Sequence, residues 1–243
     1  MTNPHQCSGR LRITAAAAVL GALTVGGCNG DDPVAPQDYD PDIPTEWAPA
    51  VTNPFFPLAP GSHRVYESDD GVEVIVIDVL AAPRDVNGVS ATVVRDQVFE
   101  DGELIEDTFD WFAQDVAGNV WYLGEDSREI EDGQVVSTAG SWEWGVDGAL
   151  PGIYMWADPG GHIGEEYRQE YAAGVAEDWG EVLAVDVDVS VPAGDFSGCV
   201  QTEDWNALDS GPRENKFYCS GIGPALELEP GGTRVELVEV DNG

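Results

Sequence analysis

From about Phe55 to the C-terminus, apolar and polar residues alternate with a period of two, and turn dipeptides interrupt the alternation at short intervals. Val72 to Leu80 reads Val-Glu-Val-Ile-Val-Ile-Asp-Val-Leu, a β-branched run of strand length, and Ser90 to Val98 is a second. Asp70-Gly71, Asn87-Gly88, Asp101-Gly102, Gly118-Asn119 and Asp132-Gly133 separate such runs. Asn-Gly and Asp-Gly supply the positive φ of tight hairpins, so Val98-Phe99-Glu100 is predicted to pair with Glu103-Leu104-Ile105 across Asp101-Gly102. Further strands are predicted over 166–172, 181–191, 198–203, 214–218 and 233–240. Between Val185 and Val191, valines alternate with Asp186, Asp188 and Ser190, the pattern of a sheet with one wet face. The best candidate for a helix is a short stretch over 172–179. Consecutive strands joined by tight turns predict an all-β fold. It is a single domain of antiparallel meander strands forming a strongly curved sheet, a barrel or a sandwich, with few or no helices.

Residues 145–164 break the alternation with Gly145, Gly148, Pro151, Gly152, Pro159, Gly160, Gly161 and Gly164 around Ile153-Tyr154-Met155-Trp156. A long Gly/Pro segment carrying aromatics is expected to plug one end of the sheet. The competing expectation is a ligand-binding loop built on Tyr154, Trp156 and His162.

The N-terminus carries a different pattern. Arg10 and Arg12 precede an apolar, Ala-rich stretch from Ile13 to Leu23, too short for a permanent membrane span, which reads as an export signal. Leu23-Thr24-Val25-Gly26-Gly27-Cys28 follows and resembles a bacterial lipobox, in which the cysteine sulfur takes a diacylglyceryl group and cleavage falls just before it. The competing reading is an ordinary secretory signal cut after Gly27. Cysteine parity favours lipidation. Cys7 leaves with the signal, and lipid on Cys28 leaves Cys199 and Cys219, which can pair in an oxidising compartment or remain free thiols. Residues 1–27 are therefore read as a lipoprotein signal peptide, 28–50 as a disordered acidic and Pro-rich tether, and 51–243 as the β-rich domain. A tether of some 20 residues has a root-mean-square reach of roughly 25 Å. The expected location is exported, anchored by N-terminal lipid, with the domain facing the periplasm or the cell exterior.

Charge narrows the partners. The chain carries a formal net charge of −36; without Arg10 and Arg12 it keeps 8 basic residues against 46 acidic ones, a net −38, and Lys216 is its only lysine. Self-repulsion of this size is relieved by salt, because the Debye length falls from about 10 Å at 0.1 M to about 3 Å at 1 M. Nucleic acid is excluded as a partner, since phosphate recognition needs clustered Lys and Arg. The membrane is reached through lipid and not through headgroup charge. A small-molecule, glycan or protein ligand stays open.

Candidate chemistry is sparse. There is no Gly-x-Ser-x-Gly elbow, His-Glu-x-x-His, phosphate loop or dinucleotide fingerprint. Asp38, Asp40 and Asp42 alternate like the start of an EF-hand, but Ile43 stands where Gly is required and Pro49 where the bidentate Glu belongs. No cofactor is called for, and a divalent cation enters only as a weak associate of acidic side chains. His63 and His162, with Glu165 or Glu166, would suit a transition metal if folding joined them. Glu170, Glu177 and Asp178 beside Tyr171 and Trp179, with Trp142, Trp144 and Trp156 nearby in sequence, hold the minimum equipment of a glycoside hydrolase. The expected role is non-catalytic: a binding or envelope-structural lipoprotein, with a glycoside hydrolase or a divalent-metal-binding protein as alternatives.

The segment Phe56-Pro57-Leu58-Ala59-Pro60-Gly61-Ser62-His63-Arg64-Val65-Tyr66-Glu67 resembles the opening of a group of exported bacterial lipoproteins, in which Pro-Leu-x-Pro-Gly-x-x-Trp-x-Tyr begins a β-rich domain. Asp110-Trp111-Phe112-Ala113-Gln114-Asp115 with Gly118-Asn119-Val120-Trp121-Tyr122-Leu123-Gly124-Glu125, and Tyr218 with Gly221-Ile222-Gly223, extend the resemblance. It implies a β-rich domain and no particular activity. Arg64 departs from it where Trp is usual, and Cys219 makes the disulfide a local feature. Cys28→Ser is predicted to move the protein from the membrane to the soluble fraction on cell fractionation; retention on the membrane would contradict the acyl anchor.

Overall fold

The β-branched runs and the Asn-Gly and Asp-Gly dipeptides become hairpins as their chemistry dictates. The structure, a computed structural model, describes residues 39–208, 211 and 213–243, so Cys28 and residues 28–38 of the expected tether lie outside it. In chain order the strands are β1 (His63–Ser68), β2 (Glu73–Val79), β3 (Arg84–Val86), β4 (Val89–Glu100), β5 (Glu103–Gln114), β6 (Val120–Asp126), β7 (Glu129–Glu131), β8 (Gln134–Ser137) and β9 (Trp142–Glu143). They continue with β10 (Leu150–Met155), β11 (Glu166–Arg168), β12 (Glu170–Tyr171), β13 (Asp178–Val191), β14 (Gly194–Asn206), β15 (Glu214–Cys219), β16 (Gly223–Leu228) and β17 (Arg234–Asp241). Phe99 faces Leu104 and Glu100 faces Glu103 across Asp101-Gly102, and Val86 faces Val89 across Asn87-Gly88. Asp101 and Asn87 sit at φ 51° and 50°, a left-handed geometry that short polar side chains tolerate.

Thirteen of these strands run round one nearly closed antiparallel barrel. The circuit is β1–β2–β4–β5–β6–β10, then β12 and β11, then β13–β14–β15–β16–β17, which pairs back with β1. β3, β7, β8 and β9 are short additions to β4, β5 and β6. Closure removes the exposed edges that an open meander would present to other chains. Among the described residues no helix is long and apolar enough to cross a membrane.

The segment 51–62 closes one end of this barrel. Val51, Phe56 and Leu58 are buried in the main core, and the backbone is tied to the rim at several points. Thr52 N–H donates to Gln114 Oε1 at 2.7 Å, Asn53 Nδ2 donates to the carbonyls of Gly118 and Trp156, and Gly221 N–H donates to Pro54 O at 2.7 Å. The plug is therefore the N-terminal segment and not the Gly/Pro stretch 145–164 that the sequence suggested.

That stretch supplies a barrel strand instead. β10 lies between β6 and β12, with Gly152 opposite Tyr122. A Cβ at Gly152 would collide with the backbone of Arg168 and Gln169, so glycine is demanded by close strand approach and not by a loop conformation. The short helix expected over 172–179 is likewise absent: Ala172 and Ala176 bridge across a tight turn, and β13 begins at Asp178. Residues 39–50, assigned to the tether by composition, pack on the barrel. Tyr39 Oη donates to Pro151 O at 3.0 Å, Ala48 N–H donates to Gln114 O, and Trp47 rests against Trp121 and Trp144.

The predicted wet face of β13 is present, with Asp186, Asp188 and Ser190 exposed and Val189 and Val191 buried. Its distal half folds over the neighbouring strands, where Ala193 N–H donates to Leu237 O at 3.0 Å. Cys199 and Cys219 stand on the adjacent strands β14 and β15 with Cα atoms 4.2 Å apart and form a disulfide.

Candidate ligand-binding cavity

A barrel of this circumference encloses more volume than aliphatic side chains from its wall can fill. Phe56 reaches in from the plug and gathers other rings: its centroid lies 4.6 Å from Tyr154, 5.1 Å from Phe112 and 6.4 Å from Tyr218. Beside this cluster remains a cavity of about 70 Å³, walled by Ile75, Ile77, Val94, Leu226 and Val235, with Tyr66 at its edge. In this measure a single water needs roughly 10–15 Å³, so the space suits a molecule of several heavy atoms. Arg64, Asp96, Asp110, Lys216 and Glu227 complete the lining.

Strand alternation explains how charged residues came to face inward. On β4, Val94, Asp96 and Val98 share one face; on β5, Glu106, Thr108, Asp110 and Phe112 share the facing one. Arg64 is buried, and its guanidinium donates to Ile222 O and Pro57 O, both at 3.0 Å. Arg64 thus fastens the plug to the β15–β16 turn. Lys216, the only lysine, is also buried, with Nζ 2.7 Å from Glu214 Oε1 and 3.6 Å from Asp204 Oδ2. Burial works against its ammonium, but Glu214, Glu227 and Asp204 outweigh that and raise its pKa well above the ordinary value.

The interior acids shift upward. Asp96 is held well above the carboxylate range by burial, then by Asp110 and Glu106, with Lys216 opposing. Glu106 is pushed to about 7 by burial. Asp110 is raised by burial although Tyr122 Oη donates to it at 2.6 Å. Glu125 and Glu170 are raised by burial and by neighbouring acids, and Trp142 Nε1 donates to Glu170 at 2.6 Å. Hydrogen-bond partners are missing at both carboxyl oxygens of Glu125 and at Oδ1 of Asp96, Asp178 and Asp204. Of these four acids Asp96 lines the cavity, where the hydroxyl of Tyr218 is also unpartnered.

Of the residues singled out from sequence, Tyr154 lines the cavity, but Trp156 and His162 do not join it. They stack on each other with centroids 3.9 Å apart. His63 Nδ1 lies 2.8 Å from Asp78, His162 Nδ1 lies 2.8 Å from Glu165, and Glu166 faces Arg213 at 4.0 Å. Among the described residues no group of three or more His, Cys, Asp or Glu side chains gathers to hold a metal, so His63, His162, Glu165 and Glu166 are not brought together as a site. Glu177 pairs with Arg168, while Trp179 stacks on Trp205 and takes Arg168 over its ring at 4.5 Å. Glu170 and Trp179 therefore serve different layers of the wall: one is fixed by the buried Trp142, the other belongs to a cation–π ladder ending in Arg213 over Trp205.

Sequence reasoning missed Asp96, Lys216 and Arg64. The signals were present: Asp96 occupies the apolar phase of the run 90–98, and Lys216 is unique in the chain. Comparison with protein-family models, with curated proteins and with solved structures found no match.

Carboxyls whose folded pKa lies above the unfolded value bind more protons in the folded than in the unfolded state between the two values. Their stabilisation is complete below the unfolded pKa and is lost as pH rises through the folded one. For Glu106 this window runs from 4.5 to about 7. A shift of that size corresponds to about 3 kcal/mol for one group. Thermal denaturation in 1 M salt, which screens surface repulsion, should give a Tm higher at pH 5 than at pH 8 by roughly 5–10 °C. A flat profile, or one that rises with pH, would contradict protonated interior acids.

Proposed function

We propose that this chain is a membrane-anchored extracytoplasmic lipoprotein whose barrel binds a small, largely apolar molecule. The observation that carries the reading is the cavity itself: apolar and aromatic walls with two unpartnered polar atoms, Oδ1 of Asp96 and the hydroxyl of Tyr218, among them. Few convergent polar groups in an apolar, preformed hollow are the usual composition of a ligand site. The lipobox at Cys28 and the composition of the signal segment support delivery to an envelope surface. Residues 39–50 support a short effective linker, because the barrel is already engaged from Tyr39 onward.

A screen of small compounds by thermal shift tests this. Binding raises Tm by mass action, so millimolar concentrations of a good fragment should shift the protein by about a degree or more. Val94→Phe and Leu226→Phe, each placing a larger ring in the cavity, should abolish the shift while leaving near-ultraviolet circular dichroism intact. Shifts that persist in both variants place the ligand elsewhere, and a screen without any shift contradicts the reading.

A further inference from the structure

Resting on the small-molecule reading, we infer that the cavity's occupant is a small organic ammonium ion, with Asp96 as its counter-ion and the rings around Phe56 as the seat for its apolar body. Two observations on the lining decide the sign of the charge. The cations present are already engaged: Arg64 holds two backbone carbonyls and Lys216 holds Glu214, so an anionic ligand would find no free cation, only the neutral hydroxyl of Tyr218, which can equally accept from an ammonium. Oδ1 of Asp96 is buried and without a hydrogen-bond partner, and once the carboxyl has ionised it is an acceptor in want of a donor. An N–H from a ligand supplies it, and a charge-assisted bond there is the stronger kind.

The surroundings favour the same class. Phe56, Phe112 and Tyr154 lie within 5.1 Å of one another, centroid to centroid, and Tyr66 and Tyr218 border the same space. Ring faces attract alkylammonium groups, by about 2 kcal/mol where water is excluded. Lys216 is an internal precedent, an ammonium kept charged in this interior by surrounding acids.

Asp96 faces Asp110 and Glu106 on β5, Glu73 on β2 and Lys216 on β15. Burial and the three acids keep its proton in the free protein. Binding then exchanges cations: the ammonium enters, the Asp96 carboxyl ionises, and one proton leaves to solvent. Affinity for an ammonium should consequently rise with pH, whereas affinity for a neutral molecule should not.

Titration calorimetry on the mature chain carrying Cys28→Ser, with n-butylammonium and with 1-butanol at pH 7, tests this. The ammonium should bind at least about tenfold more tightly. Its observed heat should change with the ionisation enthalpy of the buffer, reporting proton release. Asp96→Asn should erase the tenfold preference and keep the binding of 1-butanol. Should that variant fail to fold, proton release by the native chain decides alone. Equal binding of the two compounds, or ammonium binding without proton release, overturns the ammonium inference and leaves the small-molecule reading standing. Failure of both compounds to bind, together with a screen free of shifts, removes both.

Discussion

An ammonium cannot be taken out of water and placed among tyrosines and aliphatic side chains unless opposite charges receive it, and Lys216 is placed that way. Glu214 at 2.7 Å and Asp204 at 3.6 Å receive it on β15 and β14, and Glu227 adds its field from β16. Three consecutive barrel strands are thereby committed to one electrostatic centre. The same centre limits what the remaining interior acids can do. With the lysine engaged and Arg64 bound to carbonyl groups, Asp96, Asp110, Glu106, Glu125 and Glu170 keep protons or share hydrogen bonds.

Barrel size makes such an interior necessary. Thirteen strands enclose a lumen that Val, Ile and Leu from the wall do not reach across, and the chain answers with rings and a plug. Phe56 enters from the N-terminal segment, and Arg64 fastens that segment to the β15–β16 turn. The cavity is what this filling leaves, and the unpartnered oxygens of Asp96 and Tyr218 give it chemical character. The disulfide between β14 and β15 ties the same strands that carry Asp204 and Lys216.

Much of the wall was legible in the sequence because turn dipeptides and β-branched runs are local signals. Asp101-Gly102 and Asn87-Gly88 specify their hairpins without reference to the rest of the molecule. The elements that escaped depend on distant contacts. Gly152 reads as a loop residue until Arg168 and Gln169 are seen against it. Tyr39 and Trp47 sit in a Pro- and Asp-rich stretch whose composition suggests disorder, and only Pro151, Trp121 and Trp144 give them a place. β16 opens with Gly223-Pro224 and is not among the predicted strands; Pro224 O accepts the Tyr66 hydroxyl there. The interior acids were hidden differently: with 46 acidic residues in the chain, their number says nothing, and only phase within a strand separates Asp96 from Asp186.

Lys216 is the buried cation that balances this interior. Urea denaturation of the native protein and of Lys216→Met at pH 8 and pH 5 measures that directly. Removing one partner of a buried pair leaves uncompensated charge and costs about 3–5 kcal/mol, so the variant should lose that much at pH 8. At pH 5 Asp204, whose carboxyl burial already raises above the ordinary range, can take a proton in place of the lost ammonium, and the deficit should shrink to less than half. A variant as stable as the native protein at pH 8, or equally destabilised at both pH values, would contradict it.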